Sequence, residues 1–74
     1  MAAQTKQQPH AKRFLRPRVT ADKVGLSIGS LYRKAAEGTF PKPVKISARA
    51  SAWIEDEVDA YMAGRVEASR EGGV

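Results

Sequence analysis

The segment Val24-Gly25-Leu26-Ser27-Ile28-Gly29-Ser30-Leu31-Tyr32-Arg33 (residues 24–33) passes from one helical pattern to the next through Gly25-Leu26-Ser27. Glycine tolerates the left-handed backbone that a helix stop requires, Leu26 can turn inward, and the Ser27 hydroxyl can accept from the open N–H groups of the following helix. The second helix then runs from Ile28 to about Glu37, with Leu31, Tyr32 and Ala35 spaced to face the first and Gly38 as its stop. Upstream, Pro17 suits the first turn of a helix, where its missing N–H is not needed, and Thr20, Ala21 and Val24 fall on one face.

Beyond Gly38 the period changes. Pro41 and Pro43 exclude a regular helix, and Val44-Lys45-Ile46 alternates apolar and basic residues as a half-buried strand does. Ser47-Ala48-Arg49-Ala50 is the expected turn, with Ser51-Ala52-Trp53 returning as the second strand of a short hairpin. From Ile54 a helical stripe resumes through Val58, Tyr61 and Met62, and Glu55, Asp56 and Glu57 crowd its first turn, where they complement the helix dipole. This pattern fades after Met62 and Gly64. The expected architecture is mainly α with a two-stranded antiparallel hairpin: a flexible basic arm over residues 1–13, a folded domain over 14–66 and a flexible tail over 67–74.

The chain has 74 residues, a net charge of +5 and no cysteine. So small a core leaves stability marginal without a staple or a partner, and disulfides are excluded. His10 lies in a Gln/Pro/Lys-rich stretch without a second ligand at helical or hairpin spacing, so neither a metal nor any other cofactor is expected. No apolar run approaches the roughly 18 residues that span a bilayer, and the reading is of a cytoplasmic protein. Residues 1–54 carry eleven Lys/Arg against Asp22 and Glu37, a charge of +9, whereas residues 55–74 carry Arg65 and Arg70 against six acids, a charge of −4. A basic N-terminal part joined to an acidic end is the electrostatic footprint of a protein that lays one face on phosphates.

Two helices joined by a Gly-Leu-Ser turn and followed by a basic hairpin form a helix-turn-helix with a wing. In that arrangement the first helix holds the second so that its N-terminal residues reach base edges. The candidates there are Ser27, Ile28, Gly29, Ser30 and Arg33, with Lys34 nearer the far end. Arg33 can pair with guanine O6 and N7 or grip a phosphate. Lys42, Lys45 and Arg49 are the candidates on the wing, where arginine at a narrow tip suits a minor groove and strand lysines suit phosphates. Arg13, Arg16 and Arg18 add charge from the arm and first helix. Trp53, Tyr32 and Tyr61 read as core anchors rather than base-stacking groups. Glu55 and Asp59 share a helix face, the sole hint of metal or acid/base chemistry, but no histidine or nucleophile accompanies them.

From Phe14 to about Arg65 the sequence resembles the AlpA family of prophage regulators and the related small excisionases, winged helix-turn-helix proteins similar to the DNA-binding part of MerR regulators. The resemblance is carried by Arg16-Pro17, Gly25-Leu26-Ser27, Ser30-Leu31-Tyr32-Arg33, Glu37-Gly38, Phe40-Pro41-Lys42-Pro43-Val44, Arg49-Ala50, Trp53 and Glu57-Val58. It implies a double-stranded DNA-binding protein of a mobile element, without enzymatic activity, that activates an integrase gene or bends an attachment site for the integrase. The pattern departs at Ile28-Gly29, where such proteins commonly carry an arginine and a small polar residue; either an exposed Ile28 touches a thymine methyl group instead, or recognition rests more on DNA shape and the wing. Copies are expected to bind side by side, the acidic end of one meeting the basic arm or wing of the next. The competing classes are a basic adaptor that binds an integrase or another acidic protein without touching DNA, and a membrane-surface peptide, which the acids opposite the apolar stripe of the last helix disfavour.

Overall fold

The computed structural model describes residues 13–72; the expected arm, apart from Arg13, and Gly73-Val74 lie outside the described residues. In chain order the elements are β1 (Phe14–Leu15), α1 (Pro17–Val24), α2 (Ile28–Glu37), β2 (Val44–Ser47), β3 (Ala50–Ile54) and α3 (Glu55–Glu71). The architecture is mainly helical with a wing-like hairpin, as the sequence implies.

Helices α1 and α2 begin and end where local chemistry dictates. Pro17 opens α1, and Gly25 closes it at φ 76°, its N–H bonded to the Ala21 carbonyl. Leu26 N–H reaches the same carbonyl at 3.1 Å, so the chain doubles back and Leu26 packs against the core. Ser27 caps α2, its Oγ accepting from Ser30 N–H at 3.1 Å. Gly38, at φ 88°, ends α2, with Thr39 N–H on the Lys34 carbonyl at 2.9 Å. A side chain larger than hydrogen would be strained at either glycine.

The hairpin differs in detail from its expected form. Ser47 and Ala50 pair directly, so the turn is only Ala48-Arg49, tightened by Arg49 N–H on Ser47 Oγ at 3.4 Å. The register shifts by one residue between Lys45 and Ser47, which makes Ile46 a bulged residue near the tip. A third strand was not foreseen: β1 pairs antiparallel with β3, Phe14 opposite Ile54 and Leu15 opposite Trp53, giving the order β1-β3-β2. Arg13 is therefore part of the fold's edge rather than of an arm, its carbonyl accepting from Glu55 N–H at 2.8 Å.

Leu15, Ala21, Leu31, Phe40, Trp53 and Val58 form the core, with Val24, Leu26, Tyr61 and Met62 packed around it. Trp53 is fully buried among the Phe40 and Tyr32 rings, and its indole N–H donates to the Pro41 carbonyl at 2.6 Å. Phe40 in turn meets the edge of Tyr61, tying α3 to the sheet. Thr20, also fully buried, places its hydroxyl between the Leu15 and Arg16 carbonyls and so locks β1 to α1. Tyr32 corrects its expected place in the core: it is 42 % exposed, because it stands about 100° round α2 from the buried Leu31 and rests on the rim of Trp53. The chain from residue 67, expected as a flexible tail, continues as helix to Glu71. Its Ala, Glu and Arg residues favour helix without any apolar stripe, which is why periodicity alone stopped short.

Candidate nucleic-acid interface

The cap of α2 uses up part of the expected reading set. Ser27 Oγ accepts from Ser30 N–H and also donates to Ser30 Oγ at 3.0 Å, so the two hydroxyls are engaged with each other. Ile28, Gly29 and Arg33 stand exposed, while Ser30 and Lys34 are half-buried. A Cβ at Gly29 would meet nothing within 4 Å, so packing does not require glycine there. Its bare Cα leaves the first turn open to close approach by a ligand. The Arg33 guanidinium lies 4.0 Å from Glu37 one turn on, an exposed pair that a phosphate or guanine can displace at little cost.

The wing residues divide into two groups. Lys42 reaches back to the last turn of α2 and donates to the Ala35 carbonyl at 2.9 Å. It therefore satisfies a helix C-terminus, where a cation also suits the dipole, and its ammonium is committed to the fold. Arg49 is exposed in the two-residue turn, and Lys45 donates to the Ala48 carbonyl at 3.3 Å from an equally exposed position. The structure thus brings Lys45 and Arg49 together at the hairpin and sets Lys42 apart at its base.

On the other side, Arg13 pairs with Glu55 at 3.3 Å and Arg16 Nε donates to the Ser51 carbonyl at 3.2 Å, while Arg18 is exposed on α1. Lys23, which the sequence reading did not single out, joins α1 to α3. Its ammonium lies 3.1 Å from Glu55 and 3.0 Å from Asp59. Hydrogen bonds to Asp59 and then Glu55 raise its pKa above 10.5. The paired acids on α3 are thereby explained as a clamp on Lys23. Only contacts between distant segments could have revealed it, since nothing near Lys23 in the sequence is acidic except Asp22.

The outcome is a short, doubly capped helix with an open first turn, joined through Tyr32 and Trp53 to a narrow basic hairpin. This geometry defines a winged helix-turn-helix. The family described as "Prophage CP4-57 regulatory protein (AlpA)" matches residues 13–66, from the strand that opens the fold to the point where α3 leaves the core. The chain is also similar to ORF88 of Enterobacteria phage P4, an uncharacterized protein: they are 36 % identical over 61 residues, which is 82 % of this chain and 69 % of that one. No solved structure matches it. The chain belongs to the AlpA family of prophage regulatory proteins. Among the described residues, no helix is long and apolar enough to cross a membrane.

Proposed function

We propose that this protein binds double-stranded DNA sequence-specifically on a prophage or integrative element. In this reading it serves as an excisionase, setting the direction of recombination, or as a regulator of the integrase gene, and does no covalent chemistry itself. The observation that carries the reading is α2: capped at both ends, held by Leu31 and Ala35 in the core, and exposing Ile28, Gly29 and Arg33, while the hairpin it meets through Tyr32 and Trp53 exposes Lys45 and Arg49. A helix fixed in this way can enter a major groove without reordering, while the hairpin reaches the adjacent minor groove. Ile28 supplies apolar contact to a thymine methyl, Arg33 reads guanine, and Arg18 and Lys45 hold phosphates.

One short helix and one wing offer little surface for tight binding, so copies fill adjacent sites cooperatively in a head-to-tail row. Among the described residues of α3, Asp56, Glu57, Glu67 and Glu71 carry no ion pair and are its acids available to a neighbour's basic wing. A cognate integrase is the second partner proposed.

The test is affinity for the element's own attachment-site and integrase-promoter DNA as a function of salt. Several phosphates neutralised together give a logarithmic slope of about −0.9 for each. A flat dependence, or no binding, would replace this reading with that of an adaptor that engages the integrase alone.

A further inference from the structure

Tyr32 has an exposed position that core packing does not account for. Its ring meets the edge of Trp53 at 5.2 Å between centroids and 61° between planes, and Trp53 is pinned beneath it by the Pro41 carbonyl. The ring therefore has a firm seat but cannot sink further, and 42 % of the residue remains exposed. Among the described residues its hydroxyl has no hydrogen-bond partner.

The surroundings are specific. Tyr32 comes from α2, yet it rests on β3, so it stands at the junction between helix and wing. Two charged residues of different origin flank the same short stretch of β3. Lys45 lies directly opposite Ser51, on the face of the hairpin that also carries Trp53. Arg16 continues along the other edge of β3 where β1 stops, its Nε on the Ser51 carbonyl, which leaves the two terminal nitrogens of the fork for a ligand. The Lys45 ammonium sits on the Ala48 carbonyl toward the tip, and Arg16, next after Leu15, starts from the face of the sheet opposite Trp53, so the junction itself offers one uncharged donor on a rigid ring.

A helix in a major groove and a wing in the adjacent minor groove are separated by one sugar-phosphate strand, which must pass over this junction. We propose that the Tyr32 hydroxyl holds one backbone phosphate of duplex DNA where that strand crosses between α2 and the hairpin. The proposal rests on the DNA-binding reading above. Tyr32 then fixes the register of helix and wing together without reading sequence, and its pre-seated ring limits the entropy lost on contact.

The test uses the full chain and a duplex selected by it from a randomised pool, with single neutral methylphosphonates placed in turn along each strand. Tyr32→Phe keeps the ring on Trp53 and removes only the hydroxyl, so its thermal melt should match the parent's. Its affinity should fall about 3- to 10-fold, the loss of one hydrogen bond to a charged acceptor at an exposed site. The loss should vanish at a single methylphosphonate position, the sign of coupling between the two groups. The logarithmic salt slope should be unchanged in Tyr32→Phe, whose hydroxyl carries no charge, and smaller by about 0.9 in Lys45→Ala. If the parent selects no duplex, the DNA-binding reading itself fails. If the parent binds but Tyr32→Phe binds equally, or its loss is coupled to a base rather than to one phosphate, the phosphate seat is wrong and the DNA-binding reading stands.

Discussion

Helices α2 and α3 are held in opposite ways. In α2 a serine caps the first turn, a left-handed glycine and Lys42 close the last, and Leu31 and Ala35 bury one face. In α3 the first turn has no side-chain cap, only Val58 is fully buried, and everything from Ala63 onward is exposed. It is attached near its start only, by Val58, Tyr61 and Met62 on the core and by ion pairs, Lys23 between Glu55 and Asp59 and Arg13 on Glu55. A short helix that must present a few side chains in one orientation is fixed along its whole length. The longer helix is anchored at its start and leaves its far half to solvent or to a neighbour.

Removing the core that both helices share should have the largest effect. Trp53→Ala takes away the ring against which Phe40 and Tyr32 pack, and should destabilise the domain by about 3–5 kcal/mol, enough to abolish a cooperative melt in a protein this small. A variant that still melts cooperatively near the parent's temperature would show that α2 does not depend on this ring. Next, the helices should separate in binding: Arg33→Ala on α2 should cost about 1–3 kcal/mol and relax discrimination at particular bases. Arg65→Ala on α3 should leave DNA affinity unchanged. Equal losses for the two arginines in a filter-binding series would erase the distinction.

Smaller effects test how each helix is held. Ser27→Ala should lower stability by about 1 kcal/mol in denaturant unfolding, since it exposes an unsatisfied first turn on α2. For α3 the sign follows from Lys23. Its folded pKa lies above its unfolded one, so the clamp contributes fully below pH 10.5 and its contribution fades as the pH rises through the folded value. Lys23→Met should therefore show a shallower loss of stability than the parent above pH 10.5, and superimposable slopes would remove the clamp from the account. The smallest change in stability should come from ending the chain after Arg65, within about 0.5 kcal/mol, because the residues removed lie on the exposed end of α3. If the same truncation abolishes cooperative filling of adjacent sites in gel shifts while single-site binding persists, α3 supplies the contact between copies. Independent filling by the intact chain would discard the head-to-tail row.

What was legible in the sequence was what short-range chemistry enforces. Pro17, Gly25, Ser27 and Gly38 set the ends of α1 and α2 through backbone dihedrals and bonds that span a single turn, so those boundaries needed no knowledge of the rest of the molecule. Alternation marked β2, and the exposed Arg33 and Arg49 were visible as outward positions of a helix and a turn. What required the tertiary structure was everything built across distance. A two-residue β1 has no periodicity and exists because β3 offers an edge to pair with. Lys42 reads as a wing lysine until the end of α2 is seen to lie within its reach, and Lys23 reads as an ordinary surface lysine until α3 brings two carboxylates to it. Tyr32 follows the buried Leu31 and so stands about 100° round α2 from it, at the rim of the buried face. Whether such a rim residue is covered depends on what the rest of the chain brings to it, which no local pattern encodes; here β3 brings the edge of Trp53, which seats the Tyr32 ring and leaves it at the surface.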